Sequence, residues 1–271
     1  MVQHTNEFYH AAIKIALPET YEIRTPSVPG MASPVFLATS PQCTHVCKFN
    51  DYDIVMHNRK IRDLLADSGF HIPRAQIHMY FDAWFEAYQY HPDKTLYEHI
   101  KNGLDNEKIT SAYHQAIDKQ AKISQMPISC LRNIRPIYYS DVFKTIKRYK
   151  MNEPLVSIYG GIIEAASRTS TPHLLHCDLN PRNILTNKNG DVTCLIDLDA
   201  VALASDEFAL IQMLRTYPFD NIREVIEYYE HATDRTVNHK MVMRAVQILN
   251  SMRKQQAHIN KMFQRKNLIQ K

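Results

Sequence analysis

The residues best suited to chemistry lie in two short segments, His176-Cys177-Asp178-Leu179-Asn180-Pro181-Arg182-Asn183 and Ile196-Asp197-Leu198-Asp199. A carboxylate can accept the proton of an attacking hydroxyl group, and carboxylate and amide oxygens are the ligands that Mg²⁺ prefers. Asp178, Asn183 and Asp197 are therefore candidates for a general base and its neighbouring metal ligands. Such a set suits phosphoryl transfer, in which a metal neutralises phosphate charge and a base orients the attacking oxygen.

The sequence between Asn183 and Asp197 predicts a β-hairpin. Two short apolar runs, residues 184–186 and 192–196, flank a turn that ends in Asn189-Gly190, and a turn of this composition joins antiparallel strands. The residue before the first strand and the residue after the second then lie side by side. We therefore expect an amide oxygen and a carboxylate around one cation. An ordinary hairpin with surface Asp and Asn side chains is the alternative.

The spacing resembles the H-x-D-x-x-x-x-N motif of kinases, which is followed by a metal-binding Asp. No D-F-G motif follows it here. The I-D-x-D segment instead resembles the aminoglycoside phosphotransferase and choline kinase branch of the kinase-like fold. The resemblance implies that Asp178 is the catalytic base, that Asn183 and Asp197 bind the metal, and that His176 orients the loop.

Two further residues of these segments have alternative roles. Asp199 is a supporting residue that lies behind the first metal or binds a second one, or it is a solvated or capping carboxylate. Cys177 stands where that branch usually has Gly. We expect it to be a small packed side chain rather than a reactive thiol.

The N-terminal part predicts the strands of a nucleotide-binding lobe. Three runs are rich in β-branched or aromatic residues: 21–24, 34–38 and 44–49. The turn at 27–33 lies where the resemblance places the phosphate-binding loop, and Gly30 and Ser33 are its candidate phosphate contacts. Val46-Cys47-Lys48-Phe49 resembles the strand with the ATP-binding Lys. Lys48 is thus expected to contact the phosphates, with an edge-strand or snorkelling Lys as the alternative.

A helix is predicted from Asp53 to Asp67, with Gly69 as its stop. The family normally places a Glu on this helix to pair with the Lys, and the nearest match here is the neutral Asn58. Either Asp53 or Asp63 replaces that Glu, or the lysine is held more loosely.

Residues 77–90 are aromatic and mostly apolar, which predicts the last strands of the small lobe and the connection over the adenine. The hinge is expected near Glu86–Tyr90. Trp84 and Phe85 are expected in the core, and Thr95 is expected to cap the next helix.

The whole chain is expected to adopt an α+β, two-lobed protein kinase-like fold. Its 271 residues suffice for two buried cores, and no linker separates autonomous domains. The small lobe, residues 1–88, should contain a β-sheet with one helix and bind the nucleotide. The larger lobe, residues 89–271, should be mainly helical and bind the substrate. Its helices are predicted at roughly 95–125, 140–167, 206–217, 220–232 and 236–265.

Composition argues against several other classes of protein. Five cysteines without a paired framework favour a cytoplasmic protein with reduced thiols. Cys43, His45 and Cys47 lack a second pair of zinc ligands, and no apolar run of membrane-spanning length occurs. The net charge of +4 is concentrated at 144–150 and 253–271. We expect solvated helix faces there and no binding to nucleic acid or membranes, since no nucleic-acid motif accompanies them.

These features predict a kinase that uses ATP and Mg²⁺ to phosphorylate a small-molecule hydroxyl group. An amine-bearing acceptor is favoured, such as an aminoglycoside or other antibiotic, an amino sugar or choline, because acidic residues cluster on two late helices. That acidic face comprises Asp206, Glu207, Asp220, Glu224 and Glu227. A solvated face partly neutralised by Arg223 is the alternative. A kinase of neutral sugars, or a nucleotide-binding pseudokinase that acts through a protein partner, remains open.

Overall fold

The structure, a computed structural model, describes residues 4–26, 33–126, 153–166, 172–217 and 221–252. The chain divides into two compact units. The first comprises Met1–Lys94 together with Asp197–Asp199, and the second comprises Thr95–Ile196 together with Ala200–Lys271. The three residues with the late carboxylates therefore pack with the first unit, although they lie far along the chain from the rest of it.

The first unit contains a five-stranded antiparallel sheet in the order β1-β2-β3-β5-β4. Its strands are β1 Glu22–Arg24, β2 Val35–Thr39, β3 Thr44–Asn50, β4 Gln76–Tyr80 and β5 Ala83–Gln89. Its helices are α1 Asn6–Ala16 and α2 Tyr52–Asp67. The three strands expected near the N-terminus and the helix after them are confirmed. One helix was expected, and α1 is an additional one.

Helix α1 forms because its apolar residues lie on one face and its first turn is capped. The Thr5 side chain accepts a hydrogen bond from the backbone N–H of Phe8, at 3.4 Å. Tyr9 and Ile13 are buried on the sheet, where they join Phe36, Phe49 and Phe85 in one core cluster. The placement of Phe85 in the core is confirmed. Trp84 is only half-buried, against Tyr52.

The second unit contains short strands and most of the helices. Its strands are β7 His173–His176, β8 Ile184–Thr186, β9 Val192–Leu195 and β10 Val201–Ala204, while β6, Lys94–Thr95, spans the boundary between the units. β7 pairs with β10, and β8 pairs with β9, both antiparallel. Its helices are α3 Leu96–Lys101, α4 Asn106–Ser124, α5 Glu153–Ala166, α6 Asp206–Leu214, α7 Ile222–Thr233 and α8, residues 239–252. α4 packs against α7 and β7.

The single helix predicted at 95–125 is two helices, α3 and α4. Gly103 has a φ of 85°, a left-handed conformation that ends a helix and suits glycine. Asp105 then caps α4 by accepting from the N–H of Lys108, at 2.8 Å. The predicted cap at Thr95 is confirmed, since Thr95 and Glu98 form a reciprocal capping box at the start of α3.

The helices predicted at 206–217 and 220–232 correspond to α6 and α7. Parts of two other predicted helices lie outside the described residues, namely 140–152 and 253–265. No helix within the described ranges is long and apolar enough to cross a membrane.

Candidate active site

The predicted hairpin is confirmed, and it connects the segment that ends at Asn183 with the segment that begins at Ile196. Asn187 shapes its turn, because its side-chain oxygen accepts from the N–H groups of Asn189 and Asp191, at 2.9 and 3.0 Å. Gly190 has a φ of 93°. At the open end of the hairpin, the Ile196 N–H donates to the Asn183 carbonyl, at 3.0 Å. Both strands therefore begin and end where the motif requires.

His176 is fully buried and joins the two segments inside the second unit. Its Nε2 lies 2.8 Å from the carbonyl oxygen of Ile196, and its Nδ1 lies 3.3 Å from the backbone nitrogen of Asp178. The Asp178 N–H can donate only to an unprotonated nitrogen, so these contacts assign the neutral imidazole with its proton on Nε2. The imidazole thereby fixes the backbone on both sides of the hairpin, as an orienting residue should.

The Asp178 carboxylate is held from two sides. Asn183 donates its side-chain N–H groups to Oδ2 of Asp178, at 3.1 Å, and to the Asp178 carbonyl, at 2.8 Å. Arg215 donates to Oδ1. About a third of each side chain of the Asp178–Arg215 pair is exposed, so the carboxylate remains accessible. Arg215 follows α6 and lies 37 residues from Asp178 in the sequence. The spacing of the motif therefore could not identify it as a partner of Asp178.

The orientation of Asn183 leaves the oxygen of its amide directed away from Asp178. Its nitrogen faces two Asp178 oxygens, which assigns the amide without ambiguity between its N and O atoms. The oxygen is the atom that a hard divalent cation would bind. Asn183 is otherwise buried, so the same side chain can hold the carboxylate and present a metal ligand.

In the first unit, Lys48 is a buried cation on the central strand β3. Its Nζ lies 2.6 Å from Oδ1 of Asp197 and 2.7 Å from Oδ2 of Asp199. Burial alone would lower the pKa of Lys48, but the charges of these two carboxylates outweigh it and raise the pKa above its ordinary value. The lysine is therefore charged at neutral pH. The edge-strand alternative is wrong, because β3 pairs with strands on both sides.

Asp197 adopts a backbone conformation that is uncommon for a residue with a side chain. Its φ is 62°, in the left-handed region, which non-glycine residues occupy infrequently and often at functional positions. Its side chain is 42% exposed, so it can meet a ligand while contacting Lys48. Sequence patterns carry no signal for this conformation, since Asp is only somewhat more tolerant of it than other residues.

A second buried polar network lies behind Lys48. Asn58, fully buried on α2, donates to Oδ1 of Asp199 at 2.5 Å and to Oε1 of Glu86 at 2.9 Å. Glu86 forms an ion pair with Arg62, at 3.0 Å, and both are almost completely buried. The Arg62 guanidinium also lies 3.7 Å from the centre of the Tyr88 ring. Arg62 was not among the expected site residues, and Glu86 was expected only as the first residue of the hinge.

The two acidic residues expected as possible partners of Lys48 do not occupy that position. Asp63 instead contacts Arg59, at 3.8 Å, and Arg74, at 3.6 Å, and Asp53 is exposed at the start of α2. The alternative of a loosely held lysine is also wrong, because two carboxylates contact its Nζ within 2.7 Å.

Two other expectations concern the nucleotide loop and the hinge. The Ser33 hydroxyl donates to Oδ1 of Asn50, at 2.6 Å, and Asn50 in turn donates to Asp199; Gly30 lies outside the described residues. Four of the five residues of the expected hinge, Glu86–Tyr90, belong to β5. Glu86 is paired with β3 on one side and with β4 on the other, and the Tyr90 N–H donates to the Thr44 carbonyl, at 2.8 Å.

The prediction of an acidic face is wrong for two of its residues, Asp206 and Glu207, because both are buried. Asp206 is 3% exposed and Glu207 is 4% exposed. Asp206 pairs with Arg235, at 2.9 Å, and Glu207 accepts from the N–H of Asn238, at 3.2 Å. These carboxylates hold the second unit together rather than attract a ligand. Glu224 and Glu227 are exposed on α7, and Asp220 lies outside the described residues.

Cys177 is 4% exposed, and its thiol donates to the Leu175 carbonyl, at 3.4 Å. The expectation of a packed side chain is confirmed. Burial and the neighbouring Asp178 raise the pKa of the Cys177 thiol, which suppresses the reactive thiolate.

Solved structures of antibiotic phosphotransferases have the same fold as this chain. An aminoglycoside 2′-phosphotransferase-IIIa with bound GDP has a TM-score of 0.67 at 15% identity, covering 97% of this chain and 93% of its own. A spectinomycin phosphotransferase with ADP and spectinomycin has a TM-score of 0.64 at 15% identity, covering 91% and 85%. A macrolide 2′-phosphotransferase type I has a TM-score of 0.65 at 12% identity, covering 93% and 91%. The expected kinase-like α+β fold is confirmed.

The sequence itself matches no curated protein. It does match the model of a family described as the phosphotransferase enzyme family, over residues 55–241. This range includes most of α2, the hairpin, both carboxylate segments and Arg215, and it spans more than half of the chain. The expected family is thus confirmed, and the chain belongs to the phosphotransferase enzyme family.

Proposed function

We propose that this phosphotransferase moves the γ-phosphoryl group of ATP to a hydroxyl group of a small molecule, with Mg²⁺ as its metal. The observation that carries the proposal is the arrangement of Asp178. Its carboxylate is partly exposed, and Asn183 and Arg215 hold it in one orientation. A carboxylate held in this way can accept the proton of an acceptor hydroxyl as its oxygen attacks phosphorus.

Lys48 supplies the positive charge for the nucleotide. Its ammonium is charged and restrained, so it would contact the phosphates with little loss of side-chain freedom. Ser33 and Gly30 are the proposed loop contacts to the same phosphates. Solved relatives of this fold hold GDP or ADP, and we propose ATP as the donor with GTP as the alternative.

The residues present fit a magnesium ion. The Asn183 amide presents its oxygen because its nitrogen is engaged by Asp178, and the Asp197 carboxylate is substantially exposed. Hard oxygen ligands of this kind suit Mg²⁺. When bound, the metal would neutralise charge on the phosphates. His176 contributes by fixing the backbone that bears Asp178.

We propose an amine-bearing acceptor, although fewer acidic residues support it than the sequence predicted. Glu224 and Glu227 are exposed three residues apart on α7, where they can attract a cation. Two solved relatives of the fold hold kanamycin or spectinomycin. Arg223 lies 2.8 Å from Glu227 and neutralises part of this charge. The acceptor KM should therefore rise with salt and in the Glu224→Gln plus Glu227→Gln variant.

The decisive experiment is steady-state turnover of ATP and GTP with Mg²⁺ on a panel of amine-bearing and neutral alcohols. Asp178→Asn should lower kcat by about 10² to 10⁴, the usual contribution of a positioned base, and should retain the thermal shift produced by nucleotide. Asp191→Asn, in the exposed hairpin turn, is the matched control. Equal kcat for wild type and Asp178→Asn would exclude the assigned base. Nucleotide binding without turnover on any alcohol would favour the pseudokinase.

A further inference from the structure

The charge balance around Lys48 is unusual because the helix that faces it supplies no carboxylate. Lys48 is 9% exposed, and a buried ammonium is stable only when charge and hydrogen bonds compensate its lost hydration. The α2 side chain that contacts Asp199 is Asn58, a neutral donor. Among the described residues, the carboxylates within ion-pair distance of the Lys48 ammonium are those of Asp197 and Asp199.

The two carboxylates differ in their surroundings. Both oxygens of Asp199 accept hydrogen bonds, Oδ2 from Lys48 and Asn50 and Oδ1 from Asn58. Three donors from β3 and α2 thus converge on one side chain, which is 27% exposed. Asp197 is more exposed, at 42%, and lies on a left-handed backbone. Asp199 is therefore held by donors from two elements of the first unit, whereas more of the Asp197 carboxylate is open to solvent.

The surroundings of Asn58 explain why an amide, and not a carboxylate, stands at this position of α2. Its nitrogen lies between two carboxylate oxygens, 2.5 Å from Asp199 and 2.9 Å from Glu86. An acidic side chain at this position would place its carboxylate within hydrogen-bond distance of both Asp199 and Glu86, and like charges that close strongly disfavour the ionised state. The amide instead donates a hydrogen to each neighbour and satisfies both.

We infer that Asp199 is the positioning residue of Lys48, and that Asp197 alone of the two carboxylates serves the metal. Asp199 holds the ammonium in place from one side, and α2 orients Asp199 through Asn58 rather than contacting the lysine with its own carboxylate. The effect on nucleotide binding rests on the proposed function of Lys48. The ion pair between Asp199 and Lys48 does not depend on that proposed function. The ion pair and the effect on nucleotide binding can therefore be tested separately.

The ion pair is tested by thermal unfolding without nucleotide or metal, followed through the fluorescence of Trp84, the only tryptophan of the chain. Asp199→Asn keeps the size of the side chain and removes its charge. In the wild-type background it should lower the Tm by about 3 °C or more. In the Lys48→Met background, where the carboxylates face each other without the ammonium, it should raise the Tm.

These variants form a double-mutant cycle, and its matched control is Asp63→Asn. This substitution removes a carboxylate on α2 that contacts Arg59 and Arg74. Its effect on the Tm should be small and the same in both backgrounds. If Asp199→Asn also has the same effect with and without Lys48, the inferred pairing is overturned.

The division of roles is tested by nucleotide affinity, measured once in excess EDTA and once in excess Mg²⁺. Asp199→Asn should weaken ATP binding by a similar factor, roughly tenfold, in both conditions, because a displaced lysine loses phosphate contacts whether or not metal is present. Asp197→Asn should lose mainly the additional affinity that Mg²⁺ provides. The inference fails if Asp199→Asn weakens only the Mg²⁺-dependent part.

The same measurements separate this inference from the proposed function. If the wild type bound no nucleotide in either condition, the proposed function would fail. The thermal cycle would still decide whether Asp199 and Lys48 are coupled.

Discussion

Glu86→Gln tests the most deeply buried ion pair of the site region. Glu86 is 1% exposed and Arg62 is 5% exposed, with their charged groups 3.0 Å apart. Removing one partner of a buried pair costs about 3–5 kcal/mol, because the remaining charge stays buried. Glutamine keeps an oxygen for Asn58, and Arg62 keeps its contact with the Tyr88 ring. We therefore expect a loss of about 2–4 kcal/mol.

The assay is thermal unfolding followed by two signals. Trp84 lies on β5, two residues from Glu86, so its fluorescence reports on the first unit. Far-UV circular dichroism reports mainly on α3 to α8 of the second unit. The expected loss lowers the fluorescence-detected Tm by about 5–15 °C. The change in circular dichroism should be smaller. Adding Arg62→Met, which removes the other charge, should restore part of the Tm.

An exposed ion pair of the same chemistry provides the control. Arg223 and Glu227 lie 2.8 Å apart on α7, with side chains 75% and 51% exposed. Glu227→Gln should change the stability by less than about 0.5 kcal/mol, because water and ions screen such a pair. If Glu86→Gln shifted the Tm no more than Glu227→Gln, the argument from burial would be refuted.

Three other predictions follow from the site. Asp197→Ala should abolish the additional thermal stabilisation that Mg²⁺ gives to ATP-bound protein, and a full shift in the variant would show that the metal is held elsewhere. Arg215→Ala should lower kcat roughly tenfold by releasing the proposed base, with partial rescue by free guanidinium; rescue would not occur if the arginine only supported folding. Burial raises the pKa of Cys47 to about 12, so its thiolate is scarce at pH 8, and iodoacetamide followed by mass spectrometry should show the half-exposed Cys43 modified before Cys47.

Local sequence patterns were sufficient for the hairpin, the cap at Thr95 and the strand that carries Lys48. Each depends on residues only a few positions apart, such as Asn187 and Gly190 in the turn. Turn chemistry, capping and periodicity act over that range, so they can be read without knowledge of the fold. The motif that contains Asp178 and Asp197 could also be predicted from local patterns, because one hairpin separates these two residues.

The helix break at Gly103 and the additional helix α1 also have local signals in the sequence. Gly103 and Asp105 form a stop followed by a cap, although the prediction at 95–125 was one helix. Helix α1 has an apolar face and a capping threonine. Both features were therefore accessible to sequence reasoning.

The partners of charged residues, in contrast, were decided only by the tertiary structure. Lys48 meets Asp197 across 149 residues of sequence, and Arg215 meets Asp178 across 37. Asp206 and Glu207 show the physical reason. Two acidic residues in the first turn of a helix are favoured by the helix dipole whether they face water or a buried arginine, so the local pattern is identical in both cases. Only the packing of Arg235 against Asp206 determined that this charge is structural and not available to a ligand.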